Sequence, residues 1–168
     1  MECMTESEMD EWLLVRSLPK DPYHQKIGPD YYVQFLAPSN DPRLGTFIRH
    51  YFASFVCEAE SLIQMTDWSL YQPGEMIAID AIRSSQGESR LLIDAPGHHL
   101  AAEEFELGIE LFSLSASFGW SSCLYAPATR SVLFNWEGEI FDFWTESEAK
   151  LLEMEGIKKQ YGLRDTNC

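Results

Sequence analysis

At 168 residues the chain has the usual size of one domain, and a 45% hydrophobic content with 5 Trp, 7 Tyr and 10 Phe excludes wholesale disorder. The balance of 27 acids to 12 bases, a net charge of −15, repels phosphate backbones and anionic membranes and attracts basic proteins. No apolar run approaches the roughly 18–20 residues a membrane-crossing helix needs, and the opening MECMTESEMDEW is acidic where a secretory leader is basic and then apolar. A cytoplasmic protein with neither nucleic acid nor membrane as partner is therefore expected. Cys3, Cys57, Cys123 and Cys168 lack metal-ligand spacing and read as free thiols.

In chain order, Thr5 and Glu8 form the S/T-x-x-E capping pattern ahead of Met9, Trp12 and Leu13, which predicts a short first helix. Pro19, Pro22, Gly28 and Pro29 mark a loop. Aromatic and β-branched residues from Tyr31 to Ala37 predict a short strand, stopped by Pro38-Ser39-Asn40. Asp41 is a good N-cap and Pro42 a good first helical residue, and apolar residues from Leu44 to Ile63 keep helical spacing for five turns.

After the link Asp67–Gly74, Met76–Ile82 and Arg90–Ala95 read as an antiparallel hairpin around Gly87, its second strand interior because Leu91, Leu92 and Ile93 are all apolar. A helix follows from about Leu100 to Phe118, with Phe105, Ile109, Phe112 and Ala116 on one row and Gly119 as its stop. Cys123–Ala126, Val132–Trp136 and Ile140–Trp144 form a meander, and Thr145–Glu148 starts a last helix reaching about Tyr161. The fold class is α+β: one domain over residues 1–168, with an antiparallel sheet of about five strands. Its amphipathic helix sits between hairpin and meander, further helices pack on the sheet, and residues 1–20 and 162–168 are expected to be mobile.

Between Leu91 and Ala149 the acids Asp94, Glu103, Glu104, Glu106, Glu110, Glu137, Glu139, Asp142, Glu146 and Glu148 face one base, Arg130. Glu103 and Glu104 suit the positive end of the helix that follows them. On the last meander, Trp136-Glu137-Gly138-Glu139 makes a tip, and Asp142 and Trp144 alternate with Phe141 and Phe143. If the last strand is an edge, acids beside tryptophans offer anchors and complementary charge to a basic protein.

His98 and His99 lie between a strand and a helix, and His99 and Glu103 are four apart, but Asp94 is the only third metal ligand in view. Cys123 with a histidine and Asp94 has the residue types of a nucleophilic triad without any signature around it. Glycines near Gly74 and Gly87 do not form a phosphate loop or a dinucleotide fingerprint, and no cofactor is expected.

The leading expectation is a non-enzymatic, acidic protein-binding domain, such as an immunity-type inhibitor masking a basic toxin or nuclease. Its partner-binding residues would be Trp136, Glu137, Glu139, Asp142, Trp144, Glu103 and Glu104. The alternatives are a small hydrolase or metal-dependent enzyme centred on Asp94, His98 and His99, with Cys123 as a further candidate, and a structural or adaptor subunit acting through self-association.

Overall fold

The computed structural model describes residues 1–24, 31–38, 41–68 and 72–166, and of Asp41 the backbone alone. The chain runs β1 (Glu2–Met4), α1 (Glu6–Val15), β2 (Tyr31–Leu36), α2 (Asp41–Tyr51), β3 (Ser61–Asp67), α3 (Pro73–Ser85), β4 (Gly97–Leu100), α4 (Phe105–Ser117), β5 (Ser121–Ala126), β6 (Ser131–Trp136), β7 (Ile140–Thr145) and α5 (Glu148–Tyr161). The class is α+β. Among the described residues seven strands form one antiparallel sheet in the order β1-β4-β3-β5-β6-β7-β2, two more than the five or so expected. No helix among these residues is long and apolar enough to cross a membrane.

Side chains alternate between the two faces of a strand, and this divides the core in two. One face carries Phe35, Ile63, Met65, Leu124, Leu133, Phe141 and Phe143 under α2, α4 and α5, with Phe47, Tyr51, Phe52, Phe55 and Phe112 filling the layer. The opposite face carries Leu62, Cys123, Tyr125, Val132 and Trp144 beneath Met9, Trp12 and Leu13 of α1. α1 is a single short helix and cannot span a sheet of this width, so the half of this face nearer β2 keeps partly exposed side chains.

The caps read from the sequence form as expected. Thr5 Oγ1 accepts from Glu8 N at 3.3 Å while Glu8 Oε2 accepts from Thr5 N at 2.7 Å. Ser147 Oγ accepts from Lys150 N at 3.4 Å to start α5, and α4 ends before Gly119 at φ +70°. The meander forms with each strand within two residues of its expected start. Its tip turns through Glu137 (φ +50°) and Gly138 (φ +71°), and a Cβ on Gly138 would lie 2.1 Å from the carbonyl oxygen of Ala116.

Three segments depart from the expectation. The proposed hairpin strand Met76–Ile82 lies inside α3, which starts with Pro73 at its first turn and with Glu75 Oε2 accepting from Gln72 N at 2.7 Å. Met76, Ile79 and Arg83 then fall on one helical side, which outweighs a weak alternation. The proposed interior strand Arg90–Ala95 is a turn in which Leu92 is buried and Leu91 and Ile93 point outward. The long helix expected to reach Ile63 stops at Tyr51, widens through a π-type turn at Phe52–Val56, and reverses at Cys57 and Glu58, both with positive φ. Leu62 and Ile63 then face opposite ways in β3, which is hydrogen-bonded to β4 and β5. Pairing on both sides decided that segment over its helical spacing.

β7 is an interior strand, since β2 pairs with it along its whole length, Tyr31 opposite Thr145 and Leu36 opposite Ile140, and β6 pairs on its other side; the condition that it be an edge is not met. Residues expected to be mobile form regular contacts: β1 pairs with β4, and after Gly162 the backbone of Arg164 accepts from Leu36 N at 2.8 Å and Asp165 bridges Phe35. Gly28, Pro29, the Ser39-Asn40 stop, the Asp41 cap, part of the 67–74 link and Cys168 lie outside the described residues or side chains.

Candidate functional site

The histidines fall on opposite sides of the sheet because they are successive residues of β4. His98 is fully buried beside Arg83, itself buried at the end of α3. Arg83 Nη1 donates to His98 Nε2 at 3.0 Å and to the carbonyl of Ala95 at 2.7 Å, so His98 uses its Nδ1–H toward the Ile63 carbonyl at 3.3 Å. Arg83 Nη2 donates to the carbonyls of Arg90 and Leu91. Burial, together with the Arg83 charge, pushes the His98 imidazole down to about 4 and keeps it neutral. Arg83 and His98 thus fasten the 90–95 turn to α3 and β3.

His99 faces the other way, 3.1 Å from Glu60 and with its ring against Trp12. Glu60 also receives a two-pronged ion pair from Arg16, both contacts 2.7 Å, which holds its carboxyl below the usual range. Asp94 is exposed on the turn. Cys123 is buried in β5, two strand spacings from β4 (on the order of 10 Å), and burial pushes its thiol up to about 12. Asp94, His98, His99 and Cys123 therefore do not converge. Among the described residues no three His, Cys, Asp or Glu side chains gather as a metal site.

Of the residues expected to meet a partner, Glu103 and Glu104 stand after β4, four strand positions from β7, or about 19 Å. Glu104 Oε2 is engaged with the backbone of Ala101 at 3.0 Å. Glu137 and Glu139 are exposed at the meander tip, and no hydrogen bond or ion pair holds either carboxylate among the described residues. Trp136 is 41% exposed, whereas Trp144 is buried.

Asp142 is at the centre of the most specific polar arrangement in the protein. It lies on the α1 side of the sheet, opposite Gln34 of β2 and Phe134 of β6, and it is 0% exposed. Oδ1 accepts from Tyr32 Oη at 2.6 Å and from Gln34 Nε2 at 2.8 Å. Oδ2 accepts from Trp136 Nε1 at 2.5 Å and, in a very short contact, from the Tyr23 hydroxyl. Two donors on each oxygen fill the lone pairs of a carboxylate. None of the four donors is a cation. The burial cost of the charge is offset by charge-assisted hydrogen bonds alone.

Aromatic rings wall this carboxylate in. Tyr23 stands edge-on to Trp144 at 4.7 Å between centroids and to Phe134 at 5.9 Å, with Trp136 5.8 Å away. Tyr32 leans on Trp144 at 5.3 Å. Burial, and then the Asp142 charge, drives the Tyr23 phenol well above its ordinary value, so it remains a donor. Beside Tyr23 a recess of about 420 Å³ opens under Lys20–Tyr23, floored by Gln64, Thr66 and Cys123. Of this cluster Asp142, Trp136 and Trp144 were singled out from sequence. Tyr23, Tyr32 and Gln34 were not, although pairing β2 with β7 would have put Tyr32 and Gln34 on the Asp142 face.

Compared with known proteins, the chain matches no family model, no curated protein and no solved structure.

Proposed function

We propose that this chain is a non-enzymatic, acidic protein-binding domain whose partner is basic, in the manner of an immunity-type inhibitor that covers a toxin or nuclease. The observation that carries the reading is the group of partly exposed aromatics, Tyr23 (45%), Tyr32 (47%) and Trp136 (41%), gathered on one sheet face, with the exposed Glu137 and Glu139, unpaired among the described residues, in the turn that follows Trp136. Aromatic side chains with a polar tip supply contact area at low entropic cost and dominate the affinity of interfaces. The net charge of −15 steers a basic partner toward them. Free thiols at Cys3, Cys57 and Cys123 fit a reducing, cytoplasmic setting.

The test is affinity capture from native lysate at low salt, with stepwise salt elution, comparing the wild type with a Tyr32→Ala/Trp136→Ala double variant. Stoichiometric recovery of one basic protein by the wild type, with loss in the variant, is the expected result. Equal recovery by both, or none by either, overturns the reading.

A further inference from the structure

Resting on the reading of a basic partner, we infer that Asp142 is the floor of a subsite for an arginine side chain, and that Tyr23 is a built-in plug occupying it. Asp142 is buried yet has no cationic partner among the described residues; phenols, an indole and an amide satisfy it instead. Buried carboxylates are ordinarily paired with a cation. Three of the four donors, Tyr23, Tyr32 and Trp136, are themselves partly exposed, so the carboxylate lies one side chain below solvent.

Of those three, Tyr23 is the removable one. Tyr32 and Trp136 belong to paired strands. Tyr23 lies outside every strand and helix, on a short turn whose amides bond back to Asp21. Among the ties of the turn, the Lys20 carbonyl accepts from Tyr125 Oη at 3.2 Å, Lys20 Nζ pairs with Asp10 of α1 at 2.7 Å, and the Tyr23 hydroxyl also accepts from Trp136 Nε1 at 2.7 Å.

Removing Tyr23 would free one acceptor site on Oδ2 and uncover the rings of Trp144 and Phe134, which its ring now contacts. The vacancy suits a planar cation with N–H groups on its rim. Guanidinium stacks on aromatic faces, is less strongly hydrated than ammonium, and donates in its plane to a carboxylate. An incoming arginine thus takes the positions of the Tyr23 ring and hydroxyl, and pairs a charge that otherwise has only neutral donors. Competition with Tyr23 makes the apparent affinity of the closed protein lower by the fraction of molecules in which the plug is out.

The probe is argininamide, titrated into ¹⁵N-labelled protein while the indole N–H resonance of Trp136, assigned with Trp136→Phe, is followed. A saturable shift is expected in the wild type, with an affinity gain of about tenfold or more in Tyr23→Ala, where the competing plug is gone. The response should vanish in Asp142→Asn. Tyr23→Phe, which removes only the hydroxyl, gives an intermediate gain and serves if Tyr23→Ala lacks a dispersed amide spectrum. A non-saturating shift in the plug variants, an equal response in Asp142→Asn, or an equal response to lysinamide overturns the inference. A captured basic protein that binds Asp142→Asn unchanged would overturn this subsite while leaving the broader reading in place. Saturable argininamide binding without any captured partner would do the reverse.

Discussion

The Tyr23 hydroxyl donates to Asp142 Oδ2 across 119 residues of chain, joining a turn with no secondary structure to the middle of an interior strand. Tyr32, Gln34 and Trp136 converge on the same carboxylate from β2 and β6. The site thus exists only when β2, β6 and β7 are in register and the 18–24 segment has closed over them.

Asp142→Asn should be destabilising although nearly isosteric. An amide has two donors where the carboxylate had an oxygen, so either Tyr23 and Trp136 or Tyr32 and Gln34 would face N–H groups. Leaving buried or half-buried donors without an acceptor costs about 1–3 kcal/mol. A urea midpoint lowered accordingly, with an unchanged denaturant slope, is the expected result; an unchanged midpoint would mean that the four hydrogen bonds contribute little.

Stability should fall as pH drops from about 6.5 to about 4, the window set by His98. In the unfolded chain this imidazole takes up a proton near its ordinary value, whereas in the folded protein burial and Arg83 hold it neutral down to about 4. Protons therefore bind preferentially to the unfolded state between those values, and the stability present above 6.5 is lost on the way down. The loss from this residue by pH 4.5 is about 2–3 kcal/mol. His98→Gln, which can accept from Arg83 and donate to Ile63 while staying uncharged, should show a correspondingly smaller drop between pH 7 and 4.5 in denaturant titrations.

At the meander tip, two neighbouring residues with positive φ should respond with very different magnitudes. Gly138→Ala puts a Cβ 2.1 Å from a backbone oxygen of α4 that cannot swing aside, and a loss of about 2 kcal/mol or more is expected. Glu137→Gly relieves a left-handed non-glycine residue and should change stability by less than about 1 kcal/mol, in the stabilising direction if strain outweighs the added unfolded-state entropy. Thermal melts of both variants test the contrast. Equal effects would show that the Ala116 contact does not constrain the turn.

Neutralising Glu137 and Glu139 to glutamine should slow association with a basic partner and flatten its salt dependence, leaving the dissociation rate nearly unchanged, because both carboxylates are exposed and unpaired among the described residues. Trp136→Ala should mainly speed dissociation. Stopped-flow kinetics at two ionic strengths separate the effects. Association rates insensitive to both substitution and salt would remove the electrostatic part of the proposed function.

The sequence by itself determined the elements that carry their own boundary signals. Thr5 with Glu8, Ser147 and Gly119 mark helix ends through local hydrogen bonds and backbone freedom, and the meander follows from alternating residues around Glu137-Gly138. Between Phe52 and Ile63, where spacing pointed the wrong way, tertiary pairing made the decision. Leu62 and Ile63 continue a helical stripe but become strand because two neighbours bond their backbone, whereas the helix over Met76–Ile82 rests on local signals, Pro73, Glu75 and the spacing of Met76, Ile79 and Arg83, that a weak alternation obscured. Pairing partners likewise put His98 and His99 on opposite faces and made β7 interior. Asp142 was visible as an acid among aromatics, but its donors Tyr23, Tyr32 and Gln34 come from more than 100 residues away. Local propensity is set by neighbours in the chain, whereas a buried carboxylate is set by which strands meet, and that depends on every element at once.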